Sequence, residues 1–270
     1  MPDDLSERQS RLAIQLYTTF RAELDTIPLG GRFMPYRWWS LPDPIGVHWM
    51  PYAEMLGEFA TELANIVNRL TNHVHRLRAW ASVVESLTID EKLAATHDFI
   101  DELGTVGLCL PYAIKSRFAY AVAHLCHQAN MTKGLADWRD DDFPEEHALY
   151  LNEIEPVCRA WRRFRRFKMC MEPIGGRSFN SGSSDFRHAY NHRVPSRLVL
   201  GMTSMVTRTR QSDGRIRYGF GGEAPLELPA IAALLEIERD HCYRAFDAFQ
   251  ALVHEHIDAI AAFDHEAGRG

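Results

Sequence analysis

Residues 52–87 read YAEMLGEFATELANIVNRLTNHVHRLRAWASVVESL, and this stretch decides the fold. Apolar side chains recur along it at spacings of three and four residues, which places them on one face of an α-helix. The stripe continues through the whole stretch, so we expect one long helix packed against a helical core. Its members are Met55, Leu56, Phe59, Leu63, Ile66, Val67, Leu70, Val74, Leu77, Trp80, Ala81 and Val84.

The same periodicity predicts further helices on both sides of this stretch. Thr88-Ile-Asp-Glu91 has the form of a capping box, which typically opens a helix. Pro111 suits the first position of another helix, because its missing N–H would be unpaired there anyway. We predict helices at residues 4–26, 52–87, 89–103, 111–130, 145–170 and 228–263, with a short helix at 185–193. We expect the helix at 145–170 to be broken or bent at Pro156.

Three segments interrupt the helical pattern. Residues 27–51 mix prolines with tryptophans and predict an irregular aromatic loop, which either stacks on bases or, as aromatic burial favours, covers one end of the bundle. Residues 173–184 are rich in Gly and Ser and predict a flexible loop. Residues 203–220 alternate in polarity and predict a β-hairpin insertion. The expected fold is therefore mainly all-α, with residues 1–270 forming a single helical-bundle domain.

Composition limits the classes of function. The chain of 270 residues has a net charge of -6, so it does not coat nucleic acid with its whole surface, and any such site must be a local basic patch. No run of eighteen apolar residues occurs, and the N-terminal MPDDLSERQS is polar and acidic. We expect a cytoplasmic protein without a membrane partner.

Metal ligands are sparse in the sequence. The five cysteines are widely spaced and lack CxxC pairs, so they are expected to be reduced thiols. Glu238 and His241 form one Glu-x-x-His pair, and Asp185 with His188 is a poor second. Because no complete ligand set emerges, we predict no metal site and no cofactor.

The predicted hairpin is rich in arginine. A two-residue turn at Asp213-Gly214 would pair Arg210 with Arg217. Alternation would then place four arginines on one face and Thr207, Thr209, Ile216, Tyr218 and Phe220 on the face that packs on the bundle. Like charges opposite one another favour an anionic ligand such as RNA phosphate, although a solvated edge that discourages aggregation is an equal alternative. The four candidate RNA-binding residues are Arg208, Arg210, Arg215 and Arg217.

A second basic cluster is RAWRRFRRFK at residues 159–168. On a helix its three aromatic side chains share one side and most of its charges the other. Such a helix can bind an acidic partner or an RNA backbone. The pattern favours a simpler interpretation, in which an amphipathic core helix exposes an arginine-rich outer face.

Residues 185–193, DFRHAYNHR, hold the clearest local motif. Four residues separate Arg187 from His192, and Arg187 follows the Gly/Ser loop at the predicted start of a helix. A histidine can transfer protons near neutral pH, and an arginine can stabilise the charge on a pentavalent phosphorus. The alternative is a structural Arg and His that cap a short helix.

The segment FRHAYNHRVP, residues 186–195, resembles the HEPN superfamily, whose helical-bundle proteins carry an Arg, a polar residue, a few further residues and a His. The resemblance implies metal-independent RNA cleavage by a homodimer, with motifs from two protomers meeting, as in toxin–antitoxin or phage-defence systems. It implies that Arg187 and His192 are catalytic and that His188 occupies the polar position, where the family more often has Asn or Asp.

A non-catalytic function fits the same features. The chain would then be a helical interaction or regulatory protein, such as the antitoxin-like member of a bacterial operon. The arginine-rich hairpin would hold an acidic protein partner or RNA. Convergence of Arg187 and His192 in a concave basic cleft, or completion of the site by a two-fold partner, would favour the enzyme.

Overall fold

The computed structural model describes residues 2–134, 138–143 and 150–267. Most of these residues are helical, and a single two-stranded antiparallel sheet lies among them, which confirms the all-α class with an inserted β-hairpin. The long helices are α1 (Pro2–Thr26), α2 (Met50–Glu85), α4 (Asp101–Ala129) and α9 (Leu228–Ala267). The short elements are α3 (Ile89–Ala95), α5 (Glu155–Cys158), α6 (Phe164–Met171), α7 (Arg177–Gly182), α8 (Phe186–His192), β1 (Val206–Arg210) and β2 (Ile216–Phe220).

The chain forms two compact units. The first comprises Met1–Gly31, Leu70–Cys109 and Arg177–Ile237, and the second comprises Arg32–Arg69, Leu110–Gly176 and Glu238–Gly270. Helices α2, α4 and α9 contribute residues to both units. The expectation of a single domain stays a prediction.

Aromatic stacking organises the core of the first unit. The ring of Trp80 stacks on Phe20 at 4.6 Å and on Phe99 at 5.2 Å between centroids. Trp80 and Phe20 are almost completely buried. Rings of this size contribute much of the apolar area that a small core can bury. The capping box at Thr88 is present with both of its hydrogen bonds, so the predicted start of α3 is confirmed.

The aromatic loop covers part of the second unit. Trp49 is fully buried and donates its indole N–H to Asp264 at 2.9 Å. Trp38 packs edge-on against Phe246 and Phe249. The amide of Met34 donates to the side chain of Asn68, which fixes the loop to α2. Trp38 and Trp49 therefore serve packing, as aromatic burial favours, whereas Phe33 and Tyr36 are about half exposed.

A buried polar cluster lies at the centre of the second unit. Tyr52 and Nδ1 of His256 are 3.1 Å apart, and Nε2 of His256 is 3.6 Å from Sγ of Cys126. All three side chains are completely buried. Burial, with a smaller effect of the Lys133 charge, lowers the pKa of His256 to about 3. The imidazole is therefore a neutral core group whose two nitrogens are both satisfied.

Helix α4 corrects the predicted break at Pro111. Residues 89–129 form one helical run with a π-helical turn at Thr96–Ile100, and Pro111 lies inside α4. An internal proline removes one hydrogen bond and costs about 3 kcal/mol or more. The helix continues because Leu108, Leu110 and Ile114, on both sides of Pro111, are buried.

The predicted helix at residues 145–170 also differs from the structure. Residues 145–149 lie outside the described residues, and the rest of the range is interrupted more than expected, because only α5 and α6 are helical there. Pro156 lies in the first turn of α5, where its missing N–H needs no partner, and the residues on both sides of this short helix form turns.

The Gly/Ser segment 173–184 is ordered, so the expected flexible loop is wrong. Buried Glu238 accepts a hydrogen bond from the amide of Gly175 at 2.7 Å. The ammonium of Lys115 donates to the carbonyl oxygens of Glu172 and Ile174. Residues Arg177–Gly182 then form α7, which the buried ring of Phe179 anchors. Tertiary contacts thus override the weak local propensity of this sequence.

None of the helices in the described part of the chain combines the length and hydropathy that a bilayer crossing needs.

Candidate functional site

A strained turn places α8. Ser184 and Asp185 adopt left-handed conformations with φ of 52° and 51°. This backbone costs roughly 1–2 kcal/mol per non-glycine residue and is often found at functional sites. The amide of Asp185 donates to the carbonyl of Asn180 at 2.7 Å, and Phe186, which follows, is 2% exposed. The buried ring of Phe186 therefore fixes the rotation of α8 about its axis.

The histidines of α8 lie on its exposed side. His188 and His192 are one helical turn apart, and their rings are separated by 5.0 Å. Arg193, at the end of the helix, places Nη2 3.1 Å from Nε2 of His188. Arginine has no acceptor, so the guanidinium of Arg193 donates this bond to Nε2 of His188. The three side chains form an exposed cluster of two imidazoles and one guanidinium.

Arg187 faces another direction. Its charge acts on Cys109 of α4, where it lowers the thiol pKa, although the larger effect of burial raises that pKa overall. Arg187 and His192 are five residues apart, which separates their Cα positions by about 140° around the helix and about 7.5 Å along it. The structure therefore groups His192 with His188, and Arg187 lies elsewhere around the helix, where its charge acts on Cys109.

A cleft of about 390 Å³ lies beside α8. Its walls include Phe186, Tyr190 and Arg197 on one side and Asp101 and Glu102 of α4 on the other. Burial raises the pKa of Asp101, while the nearby charge of Arg197 lowers it. Two carboxyl groups against one guanidinium make this cleft a poor phosphate site. The candidate catalytic side chains thus lie on an open surface, outside the acidic cleft.

The candidate metal ligands do not assemble into a larger group. Nδ1 of His241 is 3.7 Å from a carboxylate oxygen of Glu238, whose other oxygen accepts from Gly175. Within residues 2–134, 138–143 and 150–267, no three His, Cys, Asp or Glu side chains lie close enough to hold a metal ion. Glu238 acts in the fold, where it holds the segment before α7.

The register of the hairpin corrects the predicted arginine face. Arg208 lies opposite Tyr218, Thr209 opposite Arg217, and Arg210 opposite Ile216. Arg208 and Arg210 therefore share a face, and Arg217 lies on the other face, so the predicted single face of four arginines is wrong. No arginine lies opposite another within the strands, which also removes the expected like-charge repulsion.

The turn explains this one-residue shift. The amide of Gly214 donates to the carbonyl of Gln211, and the amide of Gln211 donates to the carbonyl of Arg215. Gly214 has a φ of 83°, and the loop consists of three residues, 212–214. This is a type I turn followed by a glycine bulge, which competes with the two-residue turn for the same Asp-Gly sequence.

Both faces of the hairpin are exposed, so the expected packing of one face on the bundle is wrong. Tyr218 is 58% exposed and Phe220 is 87% exposed. We call the face that carries Val206, Arg208, Arg210, Ile216, Tyr218 and Phe220 the aromatic face. Arg215 pairs with Asp213 at 3.7 Å, whereas Arg208, Arg210 and Arg217 have no ion pair with the described residues.

The cluster 159–168 has the arrangement of an amphipathic core segment. Trp161, Phe164 and Phe167 are buried, while the arginines of the segment are exposed. Lys168 pairs with Glu155 at 2.6 Å. Without exposed aromatic rings, this surface offers charge but no stacking platform.

Two functional features were missed in the sequence. Arg193 follows His192 directly, yet its bond to His188 depends on the end of α8, where the chain turns back. The placement of Tyr218 and Phe220 on the same face as Arg208 and Arg210 depends on the register of the hairpin. The Gly at the third position of Ser212-Asp213-Gly214 was the available signal for the three-residue loop.

No protein-family model, curated protein or solved structure matches the chain. The resemblance to the HEPN superfamily therefore rests on residues 186–195 and on the helical setting.

Proposed function

We propose that the protein cleaves RNA without a metal ion, with the catalytic groups on α8. The observation that carries this proposal is the pair of exposed imidazoles, His188 and His192, 5.0 Å apart with Arg193 beside them. Arg187 is the fourth member of the site. Two histidines and a cation are the groups that metal-independent transfer at a phosphodiester needs.

The reaction is an attack of the ribose 2′-oxygen on the adjacent phosphorus. One imidazole accepts the proton of the 2′-hydroxyl as the new P–O bond forms. The other imidazole donates a proton to the 5′-oxygen as the old P–O bond breaks. An arginine stabilises the negative charge on the pentavalent phosphorus, and its planar fork suits the non-bridging oxygens. The products are a 2′,3′-cyclic phosphate and a 5′-hydroxyl.

The proposed active form is a homodimer. Because Arg187 and His192 lie about 140° apart around α8, one copy of the helix does not direct both at a single phosphate. A two-fold partner can present the partner's Arg187 beside His192, as the resemblance implies. The composite site then combines His188, His192 and Arg193 of one protomer with the partner's Arg187.

Substitutions at the two positions test the proposal. Arg187→Ala and His192→Ala should each abolish cleavage in chelator and leave the melting temperature nearly unchanged, because exposed groups contribute little to packing. His97→Ala is the matched control, since His97 is an exposed histidine of the same unit. If the pair only caps α8, each substitution should instead lower stability by roughly 0.5–2 kcal/mol and leave activity proportional to folded protein.

Mixing the two inactive variants tests the composite site. After subunit exchange, half of the dimers contain one Arg187→Ala chain and one His192→Ala chain. One of the two sites in each such mixed dimer is intact. About a quarter of the wild-type activity should therefore return. A mixture that stays inactive after verified exchange would place both residues of a site in one chain.

A second candidate function is favoured by the exposed aromatic face of the hairpin. The aromatic face combines arginine with aromatic and aliphatic side chains and carries no Lys, Asp or Glu. This is the composition of a binding surface. In this case the protein is a non-catalytic interaction or regulatory protein, and the hairpin holds an acidic partner or RNA. Wild-type protein that binds a ligand through the hairpin and cuts no RNA would favour this function.

A further inference from the structure

We infer that the aromatic face of the hairpin binds unpaired RNA, with Tyr218 and Phe220 stacking on bases and Arg208 and Arg210 contacting phosphates. This inference rests on the proposed function, from which it takes RNA as the ligand. It adds the class of substrate, single-stranded RNA, and the residues that select it.

The first step is the exposure of the two rings. Tyr218 and Phe220 alternate along β2 on one face, about 7 Å apart along the strand. At 58% and 87% exposure, both rings have faces available to a ligand. Because the two rings are exposed, they bury little apolar area and add little to the stability of the fold. Stacking on aromatic side chains is the common way in which proteins hold unpaired bases.

The second step is the position of the charges. Arg208 lies directly opposite Tyr218, and Arg210 lies opposite Ile216 on the same face. Neither arginine forms an ion pair with the described residues, so both guanidinium groups are available to phosphates. The nearest acid in sequence, Asp213, is already bound to the amide and side chain of Arg215. Each exposed ring therefore has a cation on its own face.

The third step separates unpaired RNA from a duplex and from a protein. The bases of A-form RNA are paired, and its deep major groove is too narrow for side chains to read, so a duplex offers no base to stack on these rings. A protein partner that docked on the rings through apolar contacts would leave Arg208 and Arg210 without anionic partners. The hairpin carries arginines on both faces, since Arg217 lies opposite Thr209, and this surrounds it with positive potential, as a polyanion requires.

The test measures binding apart from cleavage. Full-length protein with His192→Ala is titrated into a fluorescein-labelled, unstructured RNA of about 12 nucleotides in chelator, and fluorescence anisotropy is followed. The same strand annealed to its complement is the comparison ligand. The double variant Tyr218→Ala, Phe220→Ala should raise the Kd for the single strand at least about fivefold for each ring that is removed. The duplex should bind with a higher Kd than the single strand.

The two faces of the hairpin supply a matched control. Arg208→Gln with Arg210→Gln should weaken binding more than Arg215→Gln with Arg217→Gln, although both pairs remove the same charge. All of these side chains are exposed, so the melting temperature should not change. If the two arginine double variants lose the same affinity for RNA and the aromatic double variant loses none, the inference is overturned, because binding would then depend on charge alone.

The remaining outcomes separate this inference from the proposed function. If wild-type protein cuts RNA and the aromatic variant cuts it with an unchanged KM, the inference fails and the proposed function stands. If the His192→Ala protein binds single strands through the aromatic face and wild-type protein cuts none, the proposed function fails and the inference stands. Absence of binding to any RNA would overturn the inference and point to a protein ligand.

Discussion

Acid should destabilise the protein through His256, the buried histidine between Tyr52 and Cys126. Burial lowers the pKa of His256 to about 3 in the folded protein, and a histidine in an unfolded chain has a pKa of about 6.5. As the pH falls below about 6.5, the unfolded chain therefore takes up a proton that the folded protein does not. The free energy of unfolding must fall through this range until the pH reaches about 3.

The size of the effect follows from these two values. Each pH unit between them removes about 1.4 kcal/mol, so the step from pH 7 to pH 5 should remove about 2 kcal/mol through His256 alone. Other groups also titrate over this range, and a variant that lacks the imidazole supplies the baseline. His256→Gln keeps a polar side chain near Tyr52 but does not titrate.

Urea unfolding at pH 7 and pH 5 measures the effect. The fall in stability should be about 2 kcal/mol larger for wild-type protein than for His256→Gln. His254→Gln is the control, because His254 lies two residues before His256 on α9 and is exposed. Its pH dependence should match that of wild-type protein. Equal slopes for wild-type protein and His256→Gln would refute the buried, neutral state of His256.

Three further predictions concern the helices and the assembly. Thr88→Ala removes the cap of α3 and should lower the unfolding free energy by about 0.5–2 kcal/mol in urea, and an unchanged midpoint would contradict the cap. Phe186→Ala removes the buried anchor of α8 and should cost about 3–5 kcal/mol, whereas Tyr190→Ala, at a residue 52% exposed, should cost far less in the same assay. Light scattering at micromolar concentration should give the mass of a dimer, and a strict monomer would contradict the composite site.

The sequence predicts the long helices well because their apolar stripes are long and regular. The stripe from Met55 to Val84 needs no tertiary information, and α2 ends within two residues of the predicted position. Short and weak segments behave differently. Residues 173–184 are ordered by Glu238 and Lys115, which are distant in sequence, so local composition does not reveal their structure.

The candidate site is only partly predictable for the same reason. Residues 185–193 identify the helix and its histidines, but the direction of each side chain depends on the buried ring of Phe186. In the hairpin, a one-residue change of register moves Arg215 and Arg217 away from the face of Arg208 and Arg210. Alternation along a strand cannot determine that register, because two types of turn fit the same Asp-Gly sequence.

Cleavage of a labelled RNA by the purified full-length protein in excess chelator, with analysis of the product ends, tests the proposed function most directly. Wild-type protein should release fragments with 2′,3′-cyclic phosphate and 5′-hydroxyl ends, and the His192→Ala protein, prepared in parallel, should release none. Fragments with 5′-phosphate ends, equal cleavage by the two proteins, or intact RNA with folded wild-type protein would each contradict metal-independent catalysis by α8.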